Sequence, residues 1–293
     1  MLLIDDATKK QFKKFCEKNK PKDMETAIKY FTIFGGLDIK IDTTIPLKEL
    51  IEKEILNKYS YLKNELTLFT GGYNVDQAIL SGIALGDRRT TTSFKRAFVS
   101  FEEGMKCVEK LSERGVIEVE ASQHFITNQR GDNKVAKKLL FTTPFLRFWY
   151  AFISPIYKGI KEGKYEEFYK NYENREAEFT DFVFEELCLE LLTDLYKDDK
   201  LKNSGKYWDE NNNIDLIART TSGKLIAASC KYSNSKVKKS ELTNLKNTCK
   251  EIGFEPDIFV LFTKTGFSNE LKSLKGDTLK LYTEKSFKLL LED

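Results

Sequence analysis

Three positions in the C-terminal half of this 293-residue chain carry the side chains that phosphodiester chemistry needs. Glu185 lies in Phe184-Glu185-Glu186, Asp215 in Ile214-Asp215-Leu216, and Lys231 in Ser229-Cys230-Lys231. Carboxylates are hard oxygen ligands of the kind Mg2+ takes, with Asp215 the expected ligand. A neighbouring ammonium orients water or balances the charge that grows on a phosphoryl group under attack. Side chains alternate along a strand, so Ser229 and Lys231 share one face and Cys230 points to the other, where it reads as a buried apolar residue.

Positioning these groups takes a helix and a sheet. The apolar pattern predicts a helix over 180–196, then strands over 206–209, 213–219 and 224–231. Thr220-Thr221-Ser222-Gly223 joins the last two as a hairpin turn, which sets the Ser229/Lys231 face beside Asp215. A helix over 240–252, a strand over 257–263, a helix near 268–274, a strand over 278–283 and a short final helix follow. The order α-β-β-β-α-β defines the unit.

The residues Thr143-Pro144-Phe145-Leu146-Arg147-Phe148-Trp149-Tyr150, with Phe184-Glu185, Tyr207-Trp208-Asp209, Ile214-Asp215-Leu216-Ile217-Ala218, Ser229-Cys230-Lys231 and Leu261-Phe262-Thr263-Lys264-Thr265-Gly266-Phe267, resemble the DUF234 domain. That domain forms the C-terminal part of many archaeal and bacterial AAA-type ATPases and is similar to the PD-(D/E)XK restriction-endonuclease fold. The resemblance implies a site built on Glu185, Asp215 and Lys231. The nuclease-like pattern wants an acidic residue two before the lysine, and this chain has Ser229 there. A serine is a poor metal ligand, so the implied site is degenerate and kept for binding. In some restriction enzymes with Ser-x-Lys the next helix supplies the carboxylate, a place that Glu241 fills here. No Walker motif is present, so ATP hydrolysis of the family's kind is not expected.

The winged helix that usually precedes the domain is similar to residues 73–142. Helical signals over 75–85, 92–98 and from Ser100 onward are followed by strands over 116–120 and 138–142, with a polar connection between them. Ser100 and Glu103 form a capping-box pair, and Phe101, Met105, Val108 and Leu111 mark one helix face. This third helix carries four glutamates against three cations, a poor balance for groove reading. Arg88, Arg89, Lys95, Arg96, Arg130 and Lys134 are the expected phosphate contacts there, and Lys236, Lys238 and Lys239 beside the nominal site. His124 reads as a surface histidine of the wing or of a strand.

The whole chain has 48 Lys+Arg against 45 Asp+Glu, a net charge of +3, so a uniformly basic nucleic-acid coat is excluded. Positive charge is concentrated: residues 224–250 hold seven lysines against Glu241 alone. Five scattered cysteines without CxxC suit a reducing compartment, and a single histidine leaves no His/Cys zinc cluster. No stretch reads as a membrane span or export signal, so a soluble cytoplasmic protein is expected. The expected fold class is α/β (α+β): a mostly helical region over 1–72, a winged helix-turn-helix over 73–142, and a restriction-endonuclease-like αβββαβ domain over 143–293. The expected function is non-catalytic DNA binding with a regulatory or scaffold role and no resident cofactor. The alternatives are a Mg2+-dependent DNA endonuclease using Glu185, Asp215, Lys231 and Glu241, and an adaptor for a separate ATPase chain or a homo-oligomer.

Overall fold

The computed structural model describes residues 7–127 and 135–292. They divide into two compact units, one built from 7–120 and 136–179, the other from 121–127, 135 and 180–292. The class is mixed α/β, with a helical N-terminal region and a C-terminal five-stranded sheet.

The first unit begins with helices α1 (Thr8–Asn19) and α2 (Met24–Phe34), then α3 (Leu47–Ile51), which widens into a π-helical turn at Glu52–Leu56. Asp23 starts α2 by accepting the Thr26 N–H at 2.8 Å. The chain breaks at Asn57 and Lys58 before α4 (Tyr59–Thr70), where sequence periodicity predicts one helix over 45–61. Helices α5 (Asn74–Leu85), α6 (Thr90–Ala97) and α7 (Phe101–Glu113) lead into the antiparallel pair β1 (Ile117–Glu120) and β2 (Lys138–Phe141). Ser100 caps α7, its Oγ accepting the Glu103 N–H at 3.2 Å. Cys107, Val108 and Leu111 are buried, but Phe101 stays 60% exposed. The Phe94 ring lies against Gly104 and takes the core place that the spacing gives to Phe101.

Pro144 opens α8 (Pro144–Phe148), which passes through a π-helical turn, Trp149–Ile153, and a 3-10 turn to α9 (Tyr157–Lys161). The rings of Phe145, Phe148, Trp149, Tyr150 and Phe152 are all buried. The long helix α10 (Glu166–Leu195) brings Phe168, Tyr172 and Phe179 against Phe148 and Phe152. Arg147 is 6% exposed because its charge is met on three sides. It stacks on the Phe179 ring at 3.9 Å, donates to the Phe179 carbonyl at 3.3 Å and pairs with Glu178 at 3.5 Å.

The second unit is the sheet β3 (Leu201–Trp208), β4 (Asn213–Thr220), β5 (Leu225–Lys231), β6 (Ile258–Thr263) and β7 (Leu279–Thr283), in that spatial order. Short turns make β3–β4 and β4–β5 antiparallel. The crossovers α11 (Lys239–Glu251) and α12 (Asn269–Ser273) make β5–β6 and β6–β7 parallel. Gly223, at φ +93°, permits the β4–β5 hairpin turn. Strand β3 starts five residues before the sequence pattern places it. Its first half, Leu-Lys-Asn-Ser-Gly, has no apolar alternation, and two register shifts interrupt its pairing.

Residues 121–127 belong to this unit. Ser122 Oγ accepts the Trp208 N–H at 2.8 Å and donates to the Trp208 carbonyl at 2.7 Å, and the Gln123 N–H donates to the Lys206 carbonyl at 3.0 Å. The segment thereby covers the free edge of β3. His124 is correspondingly not a surface residue: it is 8% exposed and packs edge-on against Tyr207 at 5.0 Å.

Candidate active site

Strands β4 and β5 pair from Leu216 opposite Ala228 onward, and just beyond that pair the Asp215 carboxylate approaches the Ser229 hydroxyl. Alternation puts both on the sheet face that α11 covers, with Ala227 and Ile217 packed beneath Leu242 and Leu245. Glu241 sits in the first turn of α11 and reaches back over this face. The Ser229 Oγ lies 2.7 Å from Glu241 Oε1 and 3.2 Å from Asp215 Oδ2. Its single proton serves only one carboxylate at a time. Asp215 Oδ2 also accepts the Cys230 N–H at 2.8 Å. Lys231 Nζ stands 3.7 Å from Asp215 Oδ2 and 3.5 Å from Glu241 Oε1, so one ammonium answers two carboxylates.

The electrostatics follow from that count. Asp215 holds its proton to higher pH than an ordinary aspartate, first through burial, which Lys231 opposes and Glu185 reinforces. For Lys231 burial works against the charge, but Asp215 and Glu241 outweigh it and the lysine stays protonated to higher pH than usual. Cys230 faces away from this cluster, as the alternation predicts, and is buried with Cys188. Burial pushes both thiols up.

Glu185 takes a different partner. It accepts from the Lys206 ammonium at 2.7 Å, while Glu186 pairs with the same ammonium at 3.1 Å. Lys206 has only 5% of its side chain exposed and lies over the Phe182 ring. Glu185 thus acts on Asp215 through its field, and the cluster at Ser229 comprises Asp215, Lys231 and Glu241.

Three polar residues were not legible as site members. Lys206 falls in an irregular edge strand whose inward face the sequence does not mark. Asp181 lies four residues before Glu185 on α10, a spacing that puts them on one helix face and could have drawn attention to it. Its carboxyl is raised to about 6 by burial and by Glu185, with Lys231 opposing. Thr263 is register partner to Lys231, and its hydroxyl is fully buried with no hydrogen-bond partner among the described residues.

Among the cations expected to meet phosphate, Lys236 and Lys238 are exposed beyond the end of β5, and Lys239 pairs with Glu270 at 2.9 Å. In the first unit Lys95 and Arg96 are exposed in the last turn of α6, Arg89 approaches Asp87 at 3.7 Å, and Arg88 is partly buried at φ +67°. Arg130 and Lys134 lie outside the described residues.

Among the described residues no group of three His, Cys, Asp or Glu side chains is disposed to hold a metal ion. Asp215 and Glu241 nevertheless offer two acceptor-only carboxylates around one hydroxyl. Mg2+ is commonly held through one or two carboxylates, with water and substrate oxygens filling the other places. The donor set fits that ion and no soft one.

Residues 149–243 match DUF234, a family described as archaeal and bacterial proteins of unknown function. The matched segment contains Glu185, Asp215, Ser229, Lys231 and Glu241. No curated protein matches the chain significantly. Among solved structures it is similar to protein VC1899 from Vibrio cholerae at 12% identity and a TM-score of 0.29, the match covering 78% of this chain and 54% of that one. The chain spans about half the length of that neighbour, and a likeness at this score decides nothing about fold or activity. No helix among the described residues is long and apolar enough to cross a membrane.

Proposed function

We propose that the second unit is a restriction-endonuclease-like domain that hydrolyses nucleic-acid phosphodiester bonds with the help of a divalent cation. The observation that carries this reading is Glu241, which meets Asp215 on the Ser229 hydroxyl and supplies the carboxylate that position 229 lacks. Asp215 and Glu241 would hold the ion, which when bound polarises a phosphoryl oxygen. Lys231, kept protonated by those carboxylates, is placed to donate to a phosphate oxygen and balance the charge that develops there. The Ser229 hydroxyl lies between the two carboxylates, donating to one at a time, and Lys206 pairs with Glu185. The exposed Lys236, Lys238 and Lys239 follow Lys231 in the chain and suit a DNA backbone. Helices α5–α7 with β1 and β2 are read as a winged helix that adds phosphate contacts through Lys95 and Arg96.

One observation favours a second reading, DNA binding without cleavage: Ser229 and Lys231 already engage both carboxylates. A single experiment separates the two. Labelled single- and double-stranded DNA is incubated with the full chain in Mg2+, Mn2+ or EDTA, and binding is followed across salt. Cleavage that needs the metal and disappears in Asp215→Ala supports hydrolysis. Salt-dependent binding with no cleavage in either metal supports the second reading, and no binding at low salt sinks both.

A further inference from the structure

Helix α7 carries an apolar stripe that the fold leaves partly uncovered. Cys107 and Leu111 turn into the core, whereas Phe101 is exposed and Met105, one turn on, is half-buried. With Val108 and with Val119 of β1 they line an open groove of about 650 Å³. Phe98, in the turn that leads into α7, is 97% exposed and holds φ +57° and ψ +38°. Helices that close in this left-handed conformation mostly use glycine, because a Cβ is crowded there. Neither the exposure of the ring nor its backbone conformation favours a phenylalanine at position 98 for the stability of this chain. Contact with another molecule accounts for the ring.

The charge of the groove selects what fills it. Glu102, Lys106 and Glu109 line it, and Lys106 pairs with Glu102 at 2.8 Å. Glu109 is left without an ion pair among the described residues, as is the exposed Glu113 one turn further along α7. Lys110 and Arg114 do not line the groove, and Arg114 donates to the Phe69 carbonyl at 3.4 Å. Lys95 and Arg96, the cations nearest Phe98 in the chain, belong to α6 and lie outside it as well. An unanswered carboxylate repels a phosphate backbone, and a second copy of this face would meet it with the same sign.

We propose that this face of α7 is a docking site for a segment of another protein that presents large apolar side chains flanked by lysine or arginine. Phe98, Phe101 and Met105 are its apolar anchors, and Glu109 receives the incoming cation. The docking site stands apart from the chemistry of the second unit, whose cluster uses none of these residues.

The test uses two fluorescein-labelled peptides of about 18 residues, long enough to form a helix, with binding to the full chain read by anisotropy. One is made of leucine and lysine, with leucine at amphipathic helical spacing; in the other every lysine is glutamate. The lysine peptide should bind saturably, and about tenfold or more tighter than the glutamate peptide. Phe101→Ser, Phe98→Gly and Glu109→Lys should each weaken it by about tenfold or more. Phe98→Gly should do so without lowering Tm, since glycine suits the left-handed position. Leu68→Ser removes an exposed apolar side chain of α4 outside the groove and should leave the affinity unchanged. Wild-type affinity in Phe101→Ser, equal binding of the two peptides, or an equal fall in Leu68→Ser overturns the docking site. So does a wild-type dimer that Phe101→Ser dissociates in sedimentation equilibrium, which gives the face to a second copy. Weaker duplex binding by Phe101→Ser in EDTA overturns it too, by giving the face to nucleic acid.

Discussion

Lys206→Met removes a cation that two carboxylates depend on. The lysine side chain is 5% exposed, with Glu185 at 2.7 Å and Glu186 at 3.1 Å. Taking one partner out of a buried ion pair costs about 3–5 kcal/mol, because the remaining charge stays desolvated. Here the two glutamates are 26% and 22% exposed, so water recovers part of that cost and a loss of about 2–3 kcal/mol is expected. For a domain of this size that is a fall in Tm on the order of 10 °C. Urea unfolding followed by Trp208 fluorescence reads the second unit directly once Trp149, the other tryptophan, is replaced by Phe. In the same background, Lys206→Met with Glu185→Gln should be more stable than Lys206→Met alone, since one orphaned charge is gone. A loss below about 0.5 kcal/mol, the range of ordinary surface substitutions, would mean that the ammonium is solvated and does not fix Glu185.

Lys231→Met should cost less, about 1 kcal/mol, because the lysine is 43% exposed. Ca2+ should restore more stability to this variant than to the wild type by replacing the missing charge, and thermal melts in Ca2+ and EDTA check both statements. Asp181 is raised from an ordinary 3.8 to about 6, so between those values the folded chain keeps a proton that the unfolded chain has lost. Its stabilising contribution therefore falls as pH rises through that window, and Asp181→Asn should flatten the fall by roughly 1 kcal/mol after screening of this partly exposed group. Urea midpoints across the window that change equally in both proteins would contradict this. Ser229→Asp puts a third carboxylate beside Asp215 and Glu241 with one lysine to balance them. It should lower stability in EDTA and tighten Mn2+ binding measured by calorimetry; weaker binding would mean that position 229 does not face the ion.

The central strands were legible because their residues obey one rule at a time. Leu225–Lys231 is apolar up to the point where Ser229 and Lys231 share a face, and the hairpin turn before it is marked by Thr-Thr-Ser-Gly. Asp215, Ser229 and Lys231 were thereby placed together by strand alternation and the hairpin between the two strands. Glu241 came from the resemblance to restriction enzymes, since nothing in its own segment distinguishes it from a helix-capping carboxylate. The rest was hidden by tertiary choices. The first half of β3 is polar and bulged, and Lys206, which follows it, is buried where Glu185 and Glu186 of α10 meet its ammonium. Residues 121–127 read as a polar connection, but Ser122 and Gln123 hydrogen-bond the edge of β3 and His124 is buried by Tyr207. The π-helical turns after α3 and α8 have no sequence signature, because apolar spacing hardly distinguishes them from α-helix.

Glu241 and Asp215 are proposed to make one hydrolytic site together. It is tested most directly by following cleavage of a labelled duplex in Mg2+ and Mn2+ by the wild type, Asp215→Asn and Glu241→Gln. Metal-dependent cleavage by the wild type is expected, with less than about 1% of that rate in each variant. Full activity in Glu241→Gln, or no cleavage by a wild-type chain that binds the duplex, would contradict it.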